Sequence, residues 1–249
     1  MRKKLVAGNW KMHGSLRQNE ALLQRLRAEA GALSCEVVVC PPFPYLPQAQ
    51  GLLEGSVVAW GAQSLSEFSQ GAHTGEVSAD MLCDLGCRYV LVGHSERRSL
   101  YGESDAVVAG KFDAAVRAGL APVLCVGETL GERESGVTGD VVRRQLDAVI
   151  ERVGVAGLAS AVIAYEPVWA IGTGVTASPA QAQAVHALIR SHLAVQGFEA
   201  APAIRILYGG SVKPQNAVEL FGQPDIDGGL IGGAALVADD FLAICQAAN

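Results

Sequence analysis

A chain of 249 residues, half of them hydrophobic and 18% charged, is long enough for one large α/β barrel or two modest domains and can bury a sizeable core. Its net charge of −6 and isoelectric point near 5.4 argue against nucleic acid or a membrane surface as the main partner, because both favour basic patches. The opening MRKKLVAGNWKM is basic, but its apolar run stops at Asn9, too short for a signal peptide, and no stretch approaches the roughly 20 apolar residues of a membrane span, so the expected location is cytoplasmic.

Taken in chain order, the first strand pattern is KLVAGNW (4–10), whose alternation puts Asn9 and Lys11 on one face. Ser15 to Gln18 fits a helix capping box ahead of Leu22, Leu23 and Leu26, with Gly31 as a C-terminal stop. EVVVC (36–40) and SVVAWGAQ (56–63) follow, then a loop containing GAHTGE (71–76), then YVLVGH (89–94), which ends in His94 ahead of Ser-Glu-Arg-Arg (95–98). APVLCVGE (121–128) ends near Glu128, and AVIAYE (161–166) ends in Glu166. After Glu166 come Pro167, Trp169 and a Gly-Thr-Gly at 172–174, and Ser178-Pro179-Ala-Gln181 then opens a helix with an N-cap, a first-turn proline and a reciprocal glutamine. The last two strand patterns, IRILYGG (204–210) and DGGLIGG (227–233), end in Gly209-Gly210-Ser211 and Gly232-Gly233.

Near-continuous apolar strands alternating with amphipathic helices, eight times over, predict a parallel sheet covered on its faces. In about 250 residues this fits a single (β/α)8 barrel domain spanning 1–249. An open doubly wound sheet would place a glycine fingerprint after the first strand, where GNWKMHG stands instead. The six cysteines are scattered, and Cys83 and Cys87, four apart in a helical stretch, have no nearby His to complete a zinc site, so reduced thiols are expected.

In such barrels the active site forms where strands end and loops begin, and there Lys11, Asn9, His94 and Glu166 converge beside two glycine turns. Each alone has a duller reading. Lys11 suits a solvated loop, His94 a backbone carbonyl, Glu96 an ion pair with Arg97 or Arg98, and Glu128 the orientation of a neighbour. His13, His73, His186 and His192 have no clear partners, and the last two fit a solvated helix face. Together the rim residues suit one chemistry. Glycine turns feeding helix N-termini cradle a phosphate, Glu166 accepts a proton, and His94 and Lys11 stabilise the oxyanion that develops beside the deprotonated carbon. The stretch 167–174 then reads as a lid, stiff at Pro167 and free to bend at Gly172 and Gly174, that excludes water and makes the carboxylate more basic.

GNWKM (8–12), GHSERR (93–98), CVGET (125–129), AYEPVWAIGTG (164–174), YGGSV (208–212) and GGLIGGAAL (228–236) together resemble the triosephosphate isomerase family, in register from end to end. The resemblance implies a TIM barrel that interconverts dihydroxyacetone phosphate and D-glyceraldehyde 3-phosphate through an enediolate, without cofactor or metal. It implies Glu166 as base, His94 as a neutral electrophile with its pKa depressed by the helix N-terminus at Ser95, and Lys11 and Asn9 as carbonyl-polarising and substrate-binding groups. Gly172, Ser211, Gly232 and Gly233 would donate backbone N–H groups to phosphate, Glu96 would stand beside Lys11, and Ile171 with Leu230 would form an apolar clamp over Glu166. It also implies a homodimer in which the loop after strand three reaches the neighbour's site through Thr74. The chain departs from the family at His73 and Ser64, where Phe and Asn are common, which bears on dimer tightness. It departs again at Val175 and Gly229, where Lys and Phe are common, which bears on lid motion and local packing. A Schiff-base enzyme on the same barrel would need a desolvated Lys, and the rim candidates Lys11 and Lys213 are better explained as charge donors. A non-enzymatic phosphate binder would need neither Glu166 nor His94.

Overall fold

The computed structural model describes residues 2–172, 176–197 and 199–249. Eight parallel strands close on themselves in sequence order: β1 Leu5–Asn9, β2 Glu36–Cys40, β3 Ala59–Ala62, β4 Tyr89–Val92, β5 Ala121–Val126, β6 Val162–Tyr165, β7 Arg205–Tyr208 and β8 Gly228–Ile231. The seam is β8 against β1, in the register Leu5↔Gly228 through Gly8↔Ile231. Each strand starts within three residues of its apolar run and most stop short of its end, so His94, Glu128, Glu166, Gly209 and Gly232 lie just past the last ladder residue.

The strand period of two divides the core into two layers. Leu5, Ala7, Val38, Cys40, Leu91, Val123, Cys125, Val162, Ala164, Leu207 and Leu230 fill the barrel interior. The intervening Val6, Val37, Val39, Val90, Leu124, Ile163, Ile206 and Ile231 face outward against the helices. Continuing the inward parity past the strand ends carries Asn9, Glu166, Gly209 and Gly232 to the C-terminal mouth.

The helices are α1 Leu16–Glu29, α2 Leu46–Leu53, α3 Ala79–Asp84, α4 Ser95–Tyr101, α5 Asp105–Arg117, α6 Leu130–Glu134, α7 Thr138–Val153, α8 Pro179–Val195, α9 Pro214–Phe221 and α10 Ala238–Gln246. In α1 the stripe Leu22, Leu23 and Leu26 is buried, each side chain contributing about 1.5–3 kcal/mol. Only half of the expected box forms at its start: Ser15 accepts from the Gln18 N–H. Gly31 is not a left-handed cap, because the chain tightens directly into a 3-10 turn at Ala30–Ala32. The box at Ser178 and Gln181 is complete, with Pro179 opening α8. Cys87 lies beyond the end of α3, so it shares no helix with Cys83.

Candidate active site

A cavity of about 770 Å³ opens at the C-terminal mouth, lined among others by Asn9, Lys11, His94, Glu166, Leu230 and Gly232. Lys11 has φ 51, making it the sole non-glycine residue with positive φ among the described residues. A lysine there is strained by about 1 kcal/mol or more, which persists only where neighbours over-determine it. Those neighbours are visible. Asn9 Oδ1 accepts from the Lys11 N–H at 3.0 Å, and Gln63 Nε2 donates to the carbonyls of Lys11 (2.8 Å) and Cys40 (2.9 Å). Gln63 is thus a positioning residue that sequence reasoning missed. The Lys11 ammonium reaches Glu96 Oε1 at 2.6 Å, so Glu96 stands beside Lys11 and not in an ion pair with Arg97 or Arg98, which pair with Glu103 and Asp105.

Glu166 is only 2% exposed. Its carboxylate accepts from His94 Nε2 and from the Ser95 N–H, each at 2.9 Å. The close fit extends to the next strand, since a side chain at Gly209 would press on Glu166 Cγ. On the far side of the imidazole, the Glu96 N–H points at His94 Nδ1 at 3.3 Å. That makes Nδ1 the acceptor and leaves the ring proton on Nε2, facing Glu166.

Burial acts to raise the Glu166 pKa. The charge and hydrogen bond of His94, the Ser95 N–H and the Lys11 charge outweigh it, so Glu166 lies below the ordinary carboxylate value. Burial likewise acts to lower His94, and the Glu166 carboxylate outweighs it, leaving the imidazole raised. The imidazole expected to be depressed by the helix end is thus raised, while the carboxylate expected to become more basic under a closed lid lies here below its ordinary value. The two groups sit on each other and titrate as one pair, a proton on the ring being favoured by the carboxylate and opposed by the Glu96 N–H at Nδ1.

Glu128 does orient neighbours. It is fully buried and accepts from the Tyr165 hydroxyl (3.0 Å), Trp169 Nε1 (2.9 Å) and Arg133 (3.3 Å), while the Arg133 guanidinium also lies over the Trp169 ring at 4.6 Å. Trp169 therefore packs at the foot of the lid, in the 3-10 turn Val168–Ala170 that follows Pro167. Ile171 and Gly172 line the cavity, with Gly172 at φ 70; Thr173, Gly174 and the departure at Val175 lie outside the described residues.

The two glycine turns differ. Gly232 leads straight into the 3-10 turn Gly233–Leu236, whose first N–H groups are not used inside it. Gly209-Gly210-Ser211 does not feed a helix directly, because α9 starts three residues later at Pro214. The Ser211 N–H (3.3 Å) and hydroxyl (3.1 Å) both point at the Ala170 carbonyl, so Ser211 holds the lid foot. Leu230 is buried and lines the same cavity as Ile171.

Outside the cavity, Thr74 is exposed and His73 stacks on Phe68 with ring centroids 4.2 Å apart. Ser64 is buried and accepts from Lys111, which also pairs with Glu103, so its departure sits in an internal polar cluster. The bare Gly229 backbone lies against Phe221 and Ile231, leaving no room for an aromatic side chain. His192 pairs with Asp147 at 2.6 Å. His186 is not on a solvated face; it is fully buried, with Nδ1 3.1 Å from the Asp225 carbonyl. Its place on the stripe Ala182, Val185, Ile189, Leu193 was readable from helical periodicity. Among the described residues no cluster of His, Cys, Asp and Glu could hold a metal ion, and no helix is long and apolar enough to cross a membrane.

The family model described as triosephosphate isomerase matches residues 4–248. The chain is 73% identical over 249 residues to the triosephosphate isomerase of Dechloromonas aromatica, covering 100% of both chains. It is 67% identical over 248 residues to that of Thiobacillus denitrificans, covering 100% of this chain and 99% of the relative, and 61% identical over 250 residues to that of Nitrosococcus oceani, covering 100% of both. The family match and these full-length relatives agree, and the chain belongs to the triosephosphate isomerase family.

Proposed function

We propose that the chain interconverts dihydroxyacetone phosphate and D-glyceraldehyde 3-phosphate, with Glu166 as the base that moves a proton between the two carbons. The observation that carries this reading is the Glu166 carboxylate, buried at the cavity mouth and held by His94 Nε2 and the Ser95 N–H, two donors that substrate can replace. While those donors hold it, the carboxylate is weakly basic. When substrate draws Glu166 off them, the carboxylate keeps its burial and loses its stabilisation, so its proton affinity rises where a C–H must be broken. The same shift frees His94 Nε2–H to donate to the carbonyl oxygen, and the imidazole, no longer facing a carboxylate, favours its neutral form.

Lys11 supplies positive charge beside the developing oxyanion, with Glu96 and Gln63 fixing its position and Asn9 bonding its backbone. The N–H groups at Gly232 and Gly233 take the phosphate, joined by those of Gly172 and Ser211 once the Ala170 carbonyl releases Ser211. Ile171 then closes toward Leu230 and dries Glu166. None of these steps uses a metal or cofactor. In a coupled assay with NADH confined to the reporter reaction, glyceraldehyde 3-phosphate turns over at a rate that a chelator leaves unchanged; folded protein without turnover would refute the reading.

The chain works as one barrel domain, and as a homodimer in the cytoplasm. Exposed apolar side chains at Met12 (92%) and Phe68 (49%), with the exposed Thr74 on the 63–78 loop, support the dimer. Sedimentation at micromolar protein shows a dimer on this reading, and a monomer alone would overturn it.

A further inference from the structure

Cys35 immediately precedes β2, and Cys245 lies on the last turn of α10. The site is at the N-terminal end of the barrel, opposite Glu166, and shares no lining residue with the catalytic cavity. Both cysteines are free thiols, 6% and 0% exposed. The Cys35 thiol donates to the Cys245 carbonyl at 3.4 Å, so the Cys35 sulfur lies directly against residue 245. The flanking chain is already clasped, since the Ser34 N–H and hydroxyl both donate to Asn249 Oδ1 at 2.9 Å. Oxidation would therefore add one covalent bond to a contact that exists.

We propose that Cys35 and Cys245 form a dithiol that a hydroperoxide converts into a disulfide, fastening the C-terminal helix to the start of β2. The roles within the pair are unequal. The hydrogen bond from Cys245 draws Cys35 below the ordinary thiol value against the effect of burial, with Lys3 adding to the pull, whereas the same bond and burial push Cys245 up. Cys83, Cys87, Cys40 and Cys125 are all raised, so Cys35 alone is shifted toward the thiolate.

The Cys35 thiolate attacks the terminal peroxide oxygen; the O–O bond breaks, sulfur becomes a sulfenic acid, and hydroxide leaves as water once protonated. The Cys245 sulfur then attacks the sulfenic sulfur, giving up its proton to the departing hydroxyl, which leaves as the second water. Two thiols are oxidised and one hydrogen peroxide is reduced. The closed loop runs from 35 to 245, most of the chain, and a long loop is the case in which a cross-link restricts the unfolded state most.

The test exposes the reduced full chain to hydrogen peroxide and maps its peptides without reductant. The proposal expects a Cys35–Cys245 linked peptide, a mass loss of two hydrogens, and a thermal midpoint raised by about 5 °C or more. Dithiothreitol should reverse all three, and turnover should be unchanged. Cys35→Ser and Cys245→Ser should each abolish the linked peptide and the midpoint shift; if Cys245→Ser fails to fold, Cys35→Ser carries the comparison. A peroxide-treated wild type without the linked peptide, or with a midpoint shift equal to that of Cys35→Ser, overturns the proposal.

Discussion

At the N-terminal end of the barrel, Glu36 accepts from the Tyr89 hydroxyl and from Arg205, each at 2.7 Å, while Arg205 also reaches Tyr89 at 3.1 Å and Arg190 spans Asp225 and Asp227 at 2.6 and 2.8 Å. At the C-terminal end, Glu166 is more deeply buried but rests on an imidazole and one backbone N–H in an open cavity, beside a lysine at positive φ. Both ends satisfy their buried charge, with different kinds of partner. The N-terminal partners are side chains locked to each other across strands, so removing one strands the rest. Those at the C-terminal end can be handed over to a ligand, and strain at Lys11 is tolerated there. One end holds the barrel closed and the other is kept ready for chemistry.

The comparison breaks if the two ends respond alike to substitution. The largest expected effect is at the rim: Glu166→Gln should lower kcat by about 10³-fold or more, the scale of a lost general base, with binding of glycerol 3-phosphate and the thermal midpoint little changed. Steady-state kinetics and isothermal titration on the same sample check this, and equal loss of binding and turnover would make Glu166 structural. Next, Glu36→Ala should cost about 2–3 kcal/mol of unfolding free energy in urea and leave kcat within about twofold, because it unpairs Arg205 and Tyr89 far from the cavity.

The smallest effect concerns His186, which joins the two ends from α8. Burial pushes its pKa down to about 4. The unfolded chain takes up a proton near 6.5 and the folded chain does not, so this contribution is present above that value and is lost as pH falls toward 4. Between pH 7 and pH 5 the loss attributable to His186 is about 2 kcal/mol. His186→Gln should flatten the pH dependence of stability by that amount, whatever it does to stability at pH 7.

The barrel was legible in the sequence because strand starts and inward parity are local patterns: residues 162, 164 and 166 already point the same way. Glu166, Asn9, Gly209 and Gly232 could be placed at the mouth for that reason. Lys11 carries no signal of its positive φ, since lysine is not a residue that favours it, and the restraint comes from Gln63, 52 positions away. The His94 and Glu166 pKa directions were missed for a related cause. A helix N-terminus can be read from Ser95 and Glu96, but the contact between residues 94 and 166 exists only once β4 and β6 converge on the mouth, and it outweighs the helix end. His186 was missed although periodicity placed it inside.

The central claim is that Glu166 leaves His94 and Ser95 to carry a proton between two carbons. Its most direct test is deuterium incorporation into dihydroxyacetone phosphate and glyceraldehyde 3-phosphate in D2O, followed by NMR for the wild type and Glu166→Gln. The wild type should place deuterium on the carbon beside the carbonyl, and Glu166→Gln should lose that exchange by the same factor as turnover. Exchange that persists in Glu166→Gln while turnover falls would assign the proton transfer to another group and contradict the account.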